Sequence, residues 1–175
     1  LNQIDKPTSQ KLYSEKYPFL INKIHVFPTA IDTNIFNIKN IYKLNKKKIG
    51  LNNNDKIILY VGRIEPPKRI DNILKAFKIL LNKDDSYKLL LIGDGILKLE
   101  MEKLSKELLI NSNVMFLGIK KRIELPMYYN LSDVSILISD NEGSPLSVKE
   151  SLACGTPVVA NNVGDISEII NNSTN

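Results

Sequence analysis

Short apolar runs alternate with helical patterns five times along the chain, and this alternation constrains the fold more than any other feature. The runs are continuous rather than alternating apolar and polar, which predicts strands buried on both faces. They are KIILYVG (56–62), YKLLLIG (87–93), VMFLG (114–118), VSILIS (134–139) and PVVA (157–160). Strands that alternate with helices predict a parallel sheet with right-handed crossovers. The sequence therefore predicts an α/β fold with one doubly wound sheet in the order 3-2-1-4-5.

The segments between the strands carry apolar residues at helical spacing, for example Ile70, Ile73, Leu74 and Phe77. Helices are predicted over 41–49, 69–83, 96–109, 124–132, 145–154 and 165–172, with Gly50 as the C-terminal cap of the first. The chain stops within the last predicted helix, so a sixth strand at the edge of the sheet is expected to lie beyond its end. Because Leu1 is not a start methionine, we expect the chain to be a fragment.

Composition excludes several classes of protein. The 175 residues are 43% apolar and 25% charged, as in a soluble globular domain. No apolar run approaches the ~20 residues of a membrane span. One histidine, His25, and one cysteine, Cys154, supply neither a disulfide framework nor a His/Cys zinc site. Cys154 is expected to be a small buried residue at a tight helix–strand junction.

The net charge of +5 comes partly from two basic clusters, at 46–48 and 120–122. Aromatic residues do not interleave with them and no nucleic-acid-binding motif accompanies them, so no nucleic-acid partner is predicted. A solvated face is the favoured interpretation of both clusters. A small phosphorylated ligand and an anionic membrane surface are the alternatives.

The predicted topology directs attention to two loops. In a doubly wound sheet, ligands bind at the carboxyl ends of the strands where the strand order reverses, here between strands 1 and 4. The loop after strand 1 contains Arg63 and Lys68, and the loop after strand 4 contains Glu142. A helix is expected to begin at Pro145 with Ser144 as its N-cap.

Such a helix start is an anion site, because the free amides of Leu146 and Ser147 carry partial positive charge. Together with Arg63 and Lys68, the helix start predicts a site for a diphosphate. Ordinary helix capping beside two solvated cations is the alternative interpretation.

Two acids flank this helix start. Glu142 and Glu150 are eight positions apart, and Glu150 would lie five residues into the helix, ~7.5 Å along its axis. The carboxylates are then expected on the order of 10 Å apart, too far for the ~5–5.5 Å pair of a retaining glycosidase. Carboxylates accept hydrogen bonds from sugar hydroxyls. The spacing therefore predicts one acid on each side of a bound diphosphate.

From about Ile24 to its end, the chain resembles the donor-binding, C-terminal half of the group 1 family of retaining glycosyltransferases with the GT-B fold. The family's interdomain linker, usually Pro-Asn-Gly-Val-Asp, corresponds to IHVFPTAIDTNIF. Its Gly-Arg…Lys-Gly phosphate loop corresponds to YVGRIEPPKRIDNILKAF. Two further blocks match LLLIGDG and VMFLG, and the Glu-x7-Glu signature matches EGSPLSVKESLACGTPVVANNVGDISEII. The blocks occur in order and at the family's spacing.

The resemblance implies roles for the matching residues outside the signature. Gly62, Arg63 and Lys68 fall on the phosphate loop, whose cations bind the nucleotide diphosphate. Gly118 and Ile119 fall near the base pocket, which reads the base largely through backbone groups. The implied donor substrate is a UDP-, GDP- or ADP-sugar, with no cofactor and no metal.

Within the signature, Glu142 falls on the acid that contacts the donor-sugar hydroxyls and is the implied catalytic residue. Glu150 falls on the acid that holds the ribose hydroxyls. Backbone contacts to the donor are implied for Gly143, Ser144, Pro145 and Leu146.

The chain departs from the family pattern at five positions. Ser144 and Pro145 stand where many members have Phe and Gly, and Thr29 and Ala30 where the linker usually has Asn and Gly. Arg69 replaces the common glycine after the phosphate-loop lysine. These changes bear on donor preference and hinge flexibility, and none removes a charged site residue.

The resemblance divides the chain into the tail of an acceptor domain (1–27), an interdomain linker (28–40) and a Rossmann-like donor-binding domain (41–175). The full-length parent is expected to be a hexosyltransferase that acts on a glycan or lipid-linked acceptor, as in polysaccharide biosynthesis. The fragment alone is expected to be inactive. A cytoplasmic location is expected, with peripheral membrane contact of the full-length protein.

Other functions explain the sequence less well. A non-catalytic nucleotide-sugar binding or regulatory module is the alternative, although retention of Arg63, Lys68, Glu142 and Glu150 argues against a degenerate site. A dinucleotide-dependent oxidoreductase needs G-x-G-x-x-G after strand 1, which VGRIEPPKR lacks. A P-loop phosphotransferase needs G-x-x-x-x-G-K-S/T, which the chain does not contain.

Overall fold

A parallel five-stranded sheet forms the centre of the molecule, seen in a computed structural model that describes residues 16–17, 19, 29–38 and 45–170. Its strands are β1 (Lys56–Val61), β2 (Tyr87–Ile92), β3 (Val114–Gly118), β4 (Val134–Leu137) and β5 (Val158–Ala160). Their order is β3-β2-β1-β4-β5, with parallel pairing throughout. The predicted fold class and strand order are confirmed.

Helices cover both faces of this sheet. They are α1 (Ile70–Leu81), α2 (Lys98–Glu107), α3 (Leu125–Leu131), α4 (Leu146–Ala153) and α5 (Ile166–Ile169). Each lies within its predicted range but is shorter by two to four residues. Within the described residues, none of the helices is long and apolar enough to cross a membrane.

Three short 3-10 turns complete the described structure, at Lys46–Ile49, Pro66–Lys68 and Arg122–Glu124. The helix predicted over 41–49 is a 3-10 turn in its described part, and 41–44 lie outside the described residues. Gly50 closes this turn with φ 80°, as its predicted capping role requires. His25, most of 1–27 and part of 28–40 also lie outside the described residues.

Alternate residues of the central strands face two separate cores. Tyr60 and Leu91 belong to the core beneath α1 and α2, and Leu59 and Leu90 to the core on the opposite face. All four are fully buried. This two-sided burial explains why the strands read as continuous apolar runs. Cys154 is buried just after α4, as predicted, and burial raises the pKa of its thiol to about 11.

The sheet order brings the loops after β1 and β4 together. Ile58 pairs with Val134 and Leu59 with Ser135, so the two strands run side by side to their carboxyl ends. Beyond the strands, the backbone amide of Asp140 donates to the carbonyl of Pro67 at 2.8 Å. The two loops are therefore joined directly at the point where the strand order reverses.

Candidate functional site

A lysine and a glutamate meet between these two loops. Lys68 ends the 3-10 turn after β1, and its Nζ lies 2.5 Å from Oε1 of Glu142 in the loop after β4. Ser139, fully buried two residues after β4, donates its hydroxyl to the same oxygen at 2.6 Å. Only 15% of the Lys68 side chain and 11% of the Glu142 side chain are exposed. Both contacts to Glu142 use Oε1.

Arg63 lies apart from that pair. Its side chain is 72% exposed and its Nη1 lies 2.8 Å from Oε2 of Glu65 in the same loop. The backbone beside it is fixed, because the hydroxyl of Tyr60 donates to the carbonyl of Arg63 at 2.6 Å. Burial raises the pKa of the Tyr60 phenol, so this hydroxyl stays protonated as a donor. Gly62 leaves room for it, since a Cβ at Gly62 would lie 2.7 Å from the phenol oxygen.

Helix α4 begins at Leu146, one residue later than predicted, and Pro145 occupies the N-cap position with φ −69° and ψ 114°. The prediction that Ser144 caps this helix is wrong, because the Ser144 hydroxyl donates to Oδ2 of Asp165 at 2.7 Å. Among the described residues, no side chain caps the first turn. Its leading amides are therefore open to an anion.

Glu150 is a buried acid within α4, with 5% of its surface exposed. The hydroxyl of Tyr129 donates to its Oε2 at 3.2 Å, and Nη2 of Arg122 lies 3.7 Å from its Oε1. Burial raises the pKa of the Glu150 carboxyl, and the contacts with Tyr129 and Arg122 act in the opposite direction. Glu150 is therefore a buried acid rather than a solvated residue on the helix surface.

Arg122 and Tyr129 are site residues that the sequence did not identify. The cluster 120–122 was interpreted as a solvated face, yet the Arg122 guanidinium lies over the ring of Phe36, 5.2 Å from its centroid. The buried rings of Phe36 and Tyr129 meet edge to face at 6.3 Å. The position of Arg122 after β3, at the carboxyl edge of the sheet, was the available signal. An aromatic cluster thus supports the contacts to Glu150.

Gly118 and Ile119 lie at the end of β3, an outer strand of the sheet. Gly118 has a φ of 66°, which favours glycine, and its carbonyl accepts the amide of Gly93 at 2.9 Å. The Ile119 side chain is 77% exposed. These two residues share the carboxyl edge of the sheet with Lys68 and Glu142 but are separated from them in strand order by β2.

A groove of about 980 Å³ lies nearby, between the starts of α1 and α2 and the loops after β4 and β5. Three cations line it, and each pairs with an acid. The pairs are Arg69 with Asp140 at 3.3 Å, Lys75 with Asp71 at 3.1 Å and Lys103 with Glu107 at 3.6 Å. With Glu100, the groove is lined by four acids against these three cations, so its lining carries no excess of positive charge.

Metal-binding groups are not clustered in the part of the chain that the structure describes. Groups of three or more His, Cys, Asp or Glu side chains placed to hold a metal ion do not occur there.

The comparisons with known proteins agree on one family. The family model for glycosyl transferases group 1 matches residues 42–175. N-acetyl-alpha-D-glucosaminyl L-malate synthase of Bacillus anthracis is 32% identical over 140 residues, which cover 80% of this chain and 36% of that protein. Alpha-monoglucosyldiacylglycerol synthase of Streptococcus pneumoniae is 34% identical over 139 residues, covering 77% and 32%. The chain thus spans about a third of the length of these curated relatives.

Among solved structures, the Anabaena protein Alr3699/HepE in complex with UDP-glucose has a TM-score of 0.77 to this chain. The match covers 98% of this chain and 47% of the Anabaena chain, at 19% sequence identity. At that identity, the likeness shows a shared fold.

Proposed function

The chain belongs to the family of group 1 glycosyl transferases, and we propose that its domain binds the nucleoside-diphosphate sugar from which a retaining parent enzyme transfers the sugar. The acceptor of the parent is a glycan or a lipid-linked acceptor, and another domain of the parent recognises it. In this proposal, the domain spans 41–175, follows a linker at 28–40, and binds the donor without transferring sugar on its own.

One observation carries the proposal: Lys68, Glu142 and the uncapped start of α4 converge where the strand order reverses. The ammonium of Lys68 has three donors, so it can hold Glu142 and a phosphate oxygen together. The amides at the start of α4 offer further donors to the same anion. Because Glu142 uses Oε1 for both its contacts, its Oε2 is placed to accept a sugar hydroxyl.

Each further site residue takes a role consistent with its place. Arg63, exposed in the loop after β1, moves from Glu65 to the diphosphate. The backbone of Gly143 to Leu146 contacts the phosphates and sugar. Glu150 accepts the ribose hydroxyls, with Arg122 and Tyr129 fixing its carboxylate. Gly118 and Ile119 lie beside the base.

The relatives support this class of donor chemistry. The Anabaena protein of the same fold was solved with UDP-glucose, and the curated relatives are named for products that carry a glucosaminyl or glucosyl group. We propose a cytoplasmic parent with peripheral membrane contact and a role in polysaccharide or glycolipid synthesis.

Calorimetry of the chain against UDP, GDP and ADP, and then their glucose conjugates, tests the proposal. We expect one nucleoside diphosphate to bind, and Lys68→Met to weaken it at least about tenfold, or ~1.4 kcal/mol. The expected loss of affinity corresponds to the loss of one charge-assisted hydrogen bond at a partly buried position.

Lys75→Met is the matched control. Lys75 also pairs with an acid, Asp71, but lies on α1 at the groove rather than between the loops. It should leave the affinity unchanged. The proposal fails if none of the three nucleotides binds, or if the two lysine variants weaken binding equally.

A further inference from the structure

Lys149, immediately before Glu150 in α4, makes three polar contacts with its ammonium group. Its Nζ donates to Oγ of Ser144 at 2.5 Å, to the carbonyl of Thr29 at 2.9 Å and to Oδ2 of Asp165 at 3.4 Å. An ammonium has three N–H groups, so its donor capacity is fully used. Only 15% of the side chain is exposed. Neither the diphosphate site nor the predicted motif assigns Lys149 a role.

The first partner of Lys149 lies in the loop that carries Glu142. Ser144 follows Glu142 by two residues, and its hydroxyl contacts both Lys149 and Asp165. Asp165 is 3% exposed, and its buried Oδ1 accepts no hydrogen bond from the described residues. Its backbone amide donates to the carbonyl of Gly143 at 3.1 Å. The loop is therefore fixed from the side of β5 by a buried polar group.

Close backbone packing holds the same loop. Gly164 precedes Asp165 and has a φ of 61°. A Cβ at Gly164 would overlap the carbonyl oxygens of Glu142 and Gly143. The loop and the segment after β5 thus lie against each other without intervening side chains, and a shift of one moves the other.

The second partner of Lys149 lies in the connector, defined here as residues 29–38. The connector contacts α4 at Lys149 through Thr29. Its other end packs two residues beyond α4, where a Cβ on Gly155 would lie 2.8 Å from Cγ2 of Ile38. Between them, Phe36 is fully buried against Tyr129. The connector therefore follows α4, and Lys149 joins its first described residue to the loop.

We propose that Lys149 is a positioning residue that couples the connector at Thr29 to the Glu142–Ser144 loop, so that donor binding and connector placement stabilise each other. This inference rests on the proposed function. A donor that fixes the loop also fixes Ser144 and Lys149, and through Lys149 the carbonyl of Thr29. By linkage, a connector held in place favours the donor-binding form of the loop to the same extent.

Hydrogen exchange and calorimetry on the chain test this coupling. The probe is whichever of UDP, GDP and ADP binds the wild type most tightly, at saturation. We expect the nucleotide to slow amide exchange in the peptide covering 29–38. Lys149→Met should weaken binding about tenfold and, once saturated, should no longer slow that exchange. Lys149→Arg, which keeps the charge and the donors, should restore part of both effects.

Two results would overturn the coupling. One is a Lys149→Met protein that binds less tightly yet still slows connector exchange at saturation, as a residue with a purely structural role would. The other is a variant that equals the wild type in both measurements. Lys75→Met is the control that should match the wild type.

If Lys149→Met does not fold, the same exchange measurement on Ser144→Ala tests the coupling. This variant keeps the Lys149–Asp165 pair and removes only the hydroxyl link to the loop, so the connector response should shrink. An unchanged response would reject the proposal. If the wild type binds none of the three nucleotides, the proposed function fails first and the coupling falls with it.

Discussion

At the scale of single residues, the charged groups of the site contact each other in a way that the sequence did not predict. Lys68 and Glu142 were predicted to hold separate parts of a ligand, yet they pair with each other at 2.5 Å. Sequence position places both at the strand-order reversal, but it does not determine side-chain direction. Ser144 shows the same limit, since Asp165, 21 positions later, takes the hydroxyl expected to cap α4.

Removing the Glu142 carboxylate should affect the binding of the plain nucleoside diphosphate and of its sugar conjugate differently. Glu142→Ala frees Lys68 and removes a negative charge beside the diphosphate, so the plain nucleoside diphosphate should bind equally or more tightly. The sugar conjugate should lose its hydroxyl acceptor and weaken by ~1.5–3 kcal/mol. Glu150→Ala should weaken both ligands by a similar amount. Calorimetry with both ligands measures this, and equal losses for both ligands in both variants would contradict the division of roles.

Burial of Glu150 predicts a specific pH dependence of stability. Its folded pKa is raised, so the unfolded chain loses the proton first, near pH 4.3, as pH increases. Stability that the wild type gains from the protonated acid is present below that pH and is lost as pH rises through the folded pKa. The free energy of unfolding of the wild type, relative to Glu150→Gln, should therefore fall above about pH 4.

Urea unfolding from pH 4 to 8 measures that difference. Glu168→Gln, at an exposed position in α5, is the matched control for the chemical change. A difference between wild type and Glu150→Gln that is flat or rises with pH would contradict the burial of this acid.

At the scale of elements, the sequence predicted each strand and helix of the sheet, because continuous apolar runs and helical spacing are local signals. The ends were less predictable: β4 stops at Leu137 rather than at residue 139. Arg122 was missed because its partners, Phe36 and Glu150, are distant in sequence. The sequence showed that Arg69 stands where the family usually has a glycine. The structure explains why a glycine is usual there, because the backbone just before α1 has a φ of 51°.

Arg69 should be strained by this left-handed backbone, which costs a non-glycine residue about 1–2 kcal/mol. Arg69→Gly and Arg69→Ala both remove the contacts with Asp71 and Asp140. Arg69→Gly should therefore be the more stable of the two, by about 1 kcal/mol, measured by urea unfolding. The same pair at Arg63, which has an ordinary negative φ, should show the opposite order. Equal stability of the two Arg69 variants would argue against strain there.

At the scale of the whole molecule, the sheet brings Lys68 and Glu142 together at the joined ends of β1 and β4, where we propose that the diphosphate binds. The connector contacts α4 on the other side through Thr29. The fold class was predictable because five strands that alternate with helices favour a doubly wound parallel sheet, and 3-2-1-4-5 is one of the common strand orders of that arrangement. The path of the connector was not predictable, since it depends on contacts of Thr29, Phe36 and Ile38 with residues more than 90 positions away.

We expect donor binding without a divalent metal, because Lys68, Arg63 and the start of α4 can supply donors to a diphosphate in place of a metal ion. This expectation requires Arg63 to leave Glu65, and Lys68 to hold Glu142 and a phosphate oxygen together. Adding a chelator should leave the calorimetric affinity for the nucleoside diphosphate nearly unchanged. A tenfold loss, ~1.4 kcal/mol, would show that a metal takes part.

The position of the bound nucleotide tests the central claim most directly. A crystal structure of the chain with the tightest-binding of UDP, GDP and ADP should place the diphosphate within hydrogen-bonding distance of Lys68 Nζ and at the amides that open α4. The groove between α1 and α2, lined by Arg69 and Lys75, is the competing location. A diphosphate bound in that groove, or anywhere away from Lys68 and α4, would contradict the account.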